Sequence, residues 1–176
     1  MYQIIANAKL DKKIQDFLLQ FALNNFKNRS LFIFNGTGRQ FCVLNKHKNL
    51  FEFDPDELMK TVFNSLDLYK IETEPKLGVF VGVNTEGGFV HEHTDGAPSG
   101  KIHTRINFLL SKPINGGMPI INGKQYIIEE DQCWINLANI WKHSSTKVSG
   151  NKPRVVLSVG ALVDEREIND KFTHLF

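Results

Sequence analysis

The sequence predicts a single, mainly β domain: a closed barrel or a two-sheet jelly roll, with supporting helices before it. Three observations carry that expectation. From residue 77 to about residue 163, short apolar or alternating runs recur between Gly- and Pro-containing turns. One of these turns is Asn122-Gly123, a strong short-range hairpin signal. Ahead of residue 77, two stretches carry helical periodicity instead. At 176 residues the chain has room for one sizeable core, and no linker, repeat or low-complexity segment divides it. The expected layout is helical and hairpin support over 1–76, a jelly-roll core over 77–163 and a C-terminal tail over 164–176.

Residues 11–27 read as an amphipathic helix, because Ile14, Phe17, Leu18, Phe21 and Ala22 recur at helical spacing and Asp11 can cap the start. Ser30–Asn35 and Gln40–Asn45 form a hairpin around Gly36-Thr37-Gly38. A second helix opens at Asp54, with Pro55 at its first position and Glu57 completing an approximate capping box. Its buried stripe is expected to be Leu58, Val62, Leu66 and Tyr69. Strands then follow at Leu77–Val83, Ile102–Leu110, Met118–Ile121, Lys124–Ile128, Gln132–Ile140 and Arg154–Leu162.

Composition narrows the function classes. A net charge of +2, with scattered basic residues and no long Lys/Arg run, gives no warrant for nucleic acid. Cys42 and Cys133 lack zinc-knuckle spacing and imply two buried, reduced thiols, as in a cytoplasmic protein. The first residues carry no signal-peptide pattern, and no apolar window is long enough to span a membrane. His47 and His174 are expected to be solvated.

The chemistry concentrates in His93-Thr94-Asp95, His143 and Arg154. In an extended chain, residues i and i+2 project to one side, so the His93 imidazole and Asp95 carboxylate can converge on one ion. The triplet sits between Gly87-Gly88 and Gly96-Ala97-Pro98, where a strand gives way to a loop. His143 would share a strand face with Asn139 and Trp141. Two imidazoles and a carboxylate suit a transition metal with open coordination positions. Arg154 opens an apolar strand and needs a carboxylate or phosphate partner if buried. A turn at Ser149-Gly150-Asn151 would fold its strand back beside the strand of His143. Within Ile102–Leu110, the apolar parity would lie beneath the helices, and Arg105 and Asn107 on the other parity would face a polar interior or solvent.

This ordered set resembles the 2-oxoglutarate and Fe(II)-dependent oxygenases over roughly residues 77–163. Arg105-Ile106-Asn107-Phe108-Leu109-Leu110 is similar to the R-x-H-x-x-L strand of the aspartyl/asparaginyl β-hydroxylase branch, with Asn107 in place of the His. The neighbourhood also resembles small prolyl hydroxylases. Relatives often carry R-x-S, whereas here Arg154 is followed by Val155-Val156, with Ser158 four positions on. The resemblance implies a double-stranded β-helix, a cupin-like jelly roll with the N-terminal helices on one sheet. It implies Fe(II) on His93, Asp95 and His143, and 2-oxoglutarate contacted by Arg154, Arg105, Asn107 and Ser158. With O2, such a site hydroxylates a C–H bond and releases succinate and CO2. The substrate would be an Asp, Asn or Pro residue of a protein, or a small amino-acid-like molecule.

Two other readings stay open at this point. His91-x-His93-x-Asp95 overlaps the metal signature of metallo-β-lactamase-like zinc hydrolases, although Gly96 stands where a further His is expected. A non-catalytic jelly-roll binding module is the other.

Overall fold

The computed structural model describes residues 4–171. In chain order its elements are β1 (Ile5–Ala6), α1 (Lys12–Asn25), β2 (Ile33–Asn35), β3 (Arg39–Val43), two 3-10 turns at 44–46 and 48–50, α2 (Pro55–Asn64), β4 (Ile71–Thr73), β5 (Val79–Asn84), β6 (Lys101–Ser111), β7 (Pro119–Ile121), β8 (Lys124–Gln125), β9 (Cys133–Leu137), β10 (His143–Ser145), β11 (Arg154–Asp164) and α3 (Glu165–Lys171). The large antiparallel sheet runs β1-β9-β6-β11-β5-β3-β2, and β4 pairs with the far end of β11. A small sheet, β10-β7-β8, forms the second layer. The fold is the jelly roll with supporting helices that the strand pattern predicts.

Strand alternation divides the large sheet into two chemically different faces. Ile106, Phe108, Ile135, Val81, Val83, Val155, Leu157 and Val159 are all buried on one parity. Helix α1 lies against β5, β6 and β11, and α2 against β4, β5 and β11, so this face and the helices form the core. Each such side chain contributes roughly 1.5–3 kcal/mol on burial. The opposite parity carries Arg105 and Asn107 on β6, Asn136 on β9, and Arg154 and Ser158 on β11, buried polar groups that the apolar face could not hold. They face the small sheet.

The helices begin where their caps dictate. Asp11 accepts from the Lys13 amide at 2.8 Å, and Asp54 accepts from the Asp56 amide at 2.9 Å ahead of Pro55. Helix α2 ends at Asn64, earlier than its periodicity implies. Asp67 adopts a left-handed φ of 59° and turns the chain away, which leaves Tyr69 59% exposed. The expected helical stripe is therefore corrected: within the helix it ends at Val62, Leu66 is buried just beyond the helix end, and Tyr69 is not part of it.

Three further expectations change. Strand β9 ends at Leu137, where the amides of Ile140 and Trp141 turn back to the Leu137 carbonyl. Asn139, Trp141 and His143 thus do not share one strand face. Strand β11 does not pair with the strand of His143 either, because its neighbours are β5 and β6, whereas β10 pairs with β7. Ten of the eleven residues of β11 are buried against β5 and β6, a larger gain than a short local hairpin offers. The segment after residue 163 continues into α3, whose Glu167 accepts from the Tyr69 and Lys70 amides. Cys42 and Cys133 are buried free thiols. Among the described residues no helix is long and apolar enough to cross a membrane. His174 lies outside the described residues.

Candidate functional site

Between the two sheets lies a cavity of about 110 Å³. Its floor comes from alternate residues of the large sheet: Phe80, Gly82 and Asn84 of β5, Arg105 and Asn107 of β6, and Arg154, Val156 and Ser158 of β11. Its roof comes from β7 and β10.

His93 and His143 meet across an isolated antiparallel bridge, with the His93 amide donating to the His143 carbonyl at 3.1 Å and the reverse bond at 2.9 Å. The Asp95 amide donates to the Ala138 carbonyl at 2.7 Å. These backbone bonds bring together residues about fifty positions apart in the chain. One ligating atom from each of His93, Asp95 and His143 lies within 4.8 Å of the others. His93 Nε2 is 3.7 Å from Asp95 Oδ1, and His143 Nε2 is 3.9 Å from Asp95 Oδ2. Donor atoms about 2.1 Å from a shared ion stand roughly 3–4 Å apart, so little movement is needed.

The ring tautomers favour the same use. His93 Nδ1 lies 2.7 Å from the His91 carbonyl, and His143 Nδ1 lies 3.0 Å from the Trp141 carbonyl. A carbonyl can only accept, so each Nδ1 is the protonated nitrogen and each Nε2 keeps its lone pair for a metal. Burial lowers the His143 pKa, and neighbouring His93 adds to the effect against the Trp141 carbonyl and Asp95. A neutral imidazole is the ligating form.

His91 takes no part in the cluster. Its ring packs edge-on to Phe89, with centroids 4.6 Å apart. The three-residue group uses His143 where the hydrolase alternative would use His91.

The three guanidinium groups of the cavity differ sharply. Arg105 Nη2 donates to Glu74 at 2.9 Å, its Nη1 lies 3.3 Å from Ser158 Oγ, and its Nε is 4.0 Å from Asp95. Gly160 stands opposite Arg105 in register, and a Cβ there would come 2.7 Å from Arg105 Nη1, so glycine makes this placement possible. Arg154 is buried, with no acid within 4.0 Å among the described residues. Its Nη1 reaches Asn84 Oδ1 at only 3.5 Å, and its Nε has no partner. Burial, with Arg39 adding repulsion, lowers its pKa to about 9, so it is still a cation at neutral pH. Arg39, half-buried, lies over the Phe41 and Phe80 rings.

Glu74 secures Arg105 from outside the cavity. Burial pushes its carboxyl pKa up, but the amides of Leu77, Lys76 and Gly78 together with Arg105 outweigh this and hold it below its ordinary 4.5. A depressed folded-state pKa gives stability that is present above the unfolded value and lost as pH falls through the folded one. Glu74→Gln leaves Arg105 without its counter-charge and should cost about 3–5 kcal/mol. The expected readout is a melting temperature lower by roughly 2–4 °C per kcal/mol and a flatter loss of stability in acid. An unchanged acid limb would remove Glu74 from this account.

Sequence reasoning missed Arg39, Glu74 and Asn84. Their relation to the site is a matter of register: Asn84 on β5 pairs with Arg39 on one side and Arg154 on the other. His103 was visible only by its parity with Arg105. It is buried 3.7 Å from Asp95, with neither ring nitrogen hydrogen-bonded.

No family model and no curated protein sequence matches this chain. Solved structures do. The α-ketoglutarate-dependent non-heme epimerase SnoN from nogalamycin biosynthesis superposes with a TM-score of 0.62 at 13% identity, covering 91% of this chain and 77% of that one. A prolyl hydroxylase from Trichoplax adhaerens, solved with a hypoxia inducible factor peptide fragment, gives 0.59 at 14% identity, covering 93% and 84%. A Pseudomonas putida prolyl-4-hydroxylase gives 0.52 at 13% identity, covering 89% of each chain. The likeness is one of fold: this chain has the mainly β jelly roll of prolyl hydroxylases and of an α-ketoglutarate-dependent epimerase.

Proposed function

We propose that this protein is an Fe(II)- and 2-oxoglutarate-dependent dioxygenase that hydroxylates a C–H bond of an amino-acid residue, Asp, Asn or Pro, or of a small amino-acid-like molecule. The observation that carries this reading is the buried Arg154 guanidinium without an acid partner, lining the same cavity as a two-His, one-carboxylate cluster. An uncompensated buried cation calls for an anion. A cavity that offers both a candidate metal cluster and an enclosed guanidinium without an acid partner suits a molecule with a carboxylate at each end.

The donor set fits the metal. Two imidazole nitrogens with free Nε2 lone pairs and one carboxylate on a single face are the ligands of non-heme Fe(II) oxygenases. Bound there, iron would supply the oxidation, turning a substrate C–H into C–OH as 2-oxoglutarate and O2 become succinate and CO2. The protein's own residues do the rest. The His91 and Trp141 carbonyls fix the rings of His93 and His143. Arg154 grips the distal carboxylate. Glu74 already compensates Arg105, so Arg105 serves chiefly to hold Ser158 and flank Asp95 rather than to supply a free charge. Asn107 offers an amide donor toward the cosubstrate. Phe80, Ile121, Trp134 and Val156 wall the cavity against water.

Purified protein supplied with Fe(II), 2-oxoglutarate and O2 should release succinate slowly without a substrate, and a chelator should stop it. The reading fails if succinate formation is indifferent to iron, or if 2-oxoglutarate is left intact under every condition that loads the metal.

A further inference from the structure

Asn84 stands between two arginines in one cross-strand row, paired with Arg154 on β11 and with Arg39 on β3. Side chains in such a row project to the same face, and all three line the cavity. Gly82, the next inward position of β5, also lines the cavity, while Phe80 carries the Arg39 and Arg105 guanidinium groups at 5.4 and 5.0 Å. Arg39 has no acid within 4.0 Å and no side-chain hydrogen bond among the described residues.

Charge decides what Arg39 is for. Three guanidinium groups line the cavity against two carboxylates, Asp95 within it and Glu74 behind Arg105, which leaves one positive charge. A divalent ion and a 2-oxoglutarate dianion cancel each other, so the surplus remains after both have bound. Arg105 is matched by Glu74, and Arg154 faces the distal carboxylate. The charge left over is that of Arg39, which is half-buried where Arg154 is enclosed. Burial, with repulsion from Arg105 working against the pull of Asp95, brings its pKa down to about 10, so it is charged at neutral pH. Covering a half-buried cation with a neutral substrate would strip its remaining water without replacing it.

We propose that Arg39 is a second anion subsite, and that the primary substrate carries an acid group, most simply a carboxylate, which Arg39 receives. This rests on the oxygenase reading, since the charge balance counts the metal and the cosubstrate. The Phe41 and Phe80 ring centroids lie 5.3 and 5.4 Å from the Arg39 guanidinium carbon, and a guanidinium can meet a carboxylate through two parallel hydrogen bonds.

The test uses the anaerobic Fe(II)·2-oxoglutarate complex and two probes of the same shape, the acid N-acetylglycine and the neutral amide N-acetylglycinamide. Their binding is read by calorimetry and by perturbation of the complex's visible charge-transfer band. The acid should bind about tenfold or more tightly than the amide. Arg39→Met should bring the two within about twofold, and Arg39→Lys should keep part of the preference. Equal binding of the probes to the unaltered protein overturns the proposal. So does an Arg39→Met variant that loses 2-oxoglutarate affinity about tenfold, which would place Arg39 in the cosubstrate clamp. A charge-transfer band that never forms in the unaltered protein overturns the oxygenase reading first and this inference with it. A normal band with no charge preference overturns this inference alone.

Discussion

His143→Ala should abolish Fe(II)- and 2-oxoglutarate-dependent succinate release while the domain stays folded. The two effects separate because the ring of His143 lies outside the apolar core. Its side chain is 13% exposed, and among the described residues it makes one hydrogen bond, to the Trp141 carbonyl. Losing that bond costs about 1 kcal/mol, or roughly 2–4 °C in melting temperature for a chain of this size. Strand β10 keeps its backbone pairing with β7 and its bridge to His93 whatever the side chain. The metal fares far worse. Even groups that merely orient a ligand cost about 10–100-fold in affinity or activity, and His143 would be a ligand. Circular dichroism and succinate assay on one preparation give the comparison. Normal succinate release by the variant contradicts the triad.

Arg154→Met should raise the 2-oxoglutarate requirement about ten- to a hundredfold, the equivalent of losing ~1.5–3 kcal/mol of charge-assisted hydrogen bonding. It should also do something unusual for a buried substitution: leave the unliganded protein as stable as before, or more so. Among the described residues Arg154 is buried with an unpartnered Nε and no acid within 4.0 Å, held by one long hydrogen bond to Asn84 and by the Trp134 ring, whose centroid is 5.7 Å from the guanidinium carbon. That cation is a burden until an anion arrives, and an apolar side chain of similar length relieves it. Gly117 limits what can be placed there, because a Cβ on it would come 2.7 Å from Arg154 Cδ. An unbranched side chain such as Met therefore suits the space. Weakened cosubstrate binding with an unchanged or higher melting temperature identifies Arg154 as a binding residue. A fall in both would make it a structural one.

Where the sequence was readable, residue type alone carried the signal. Alternation in 102–110 sorted Ile106 and Phe108 from Arg105 and Asn107, since charge and apolar burial cannot share a face. Asp11, and Asp54 followed by Pro55, marked helix starts because capping is local chemistry. The order His93, Asp95, His143, Arg154 stood out because so few residue types can serve a metal or a diacid. What stayed hidden depends on pairing across distance. Nothing near residue 154 says that β11 lies between β5 and β6, because that choice is made by the burial of ten residues at once. The break after Leu137 is a turn without Gly or Pro, so the run to Ile140 read as one strand. Glu74 is 31 residues from Arg105, and Arg39 reaches the cavity only because β3 extends the sheet beyond β5. The missing charges of the site were tertiary facts.

An anaerobic titration of the purified protein with Fe(II) and 2-oxoglutarate, followed in the visible range, tests the site most directly. With His93, Asp95 and His143 sharing one ion beside Arg154, the weak charge-transfer band of a chelated keto acid should grow to a one-to-one end point and be missing from His143→Ala. A protein that binds no iron, or a His143→Ala variant that gives the full band, would contradict it.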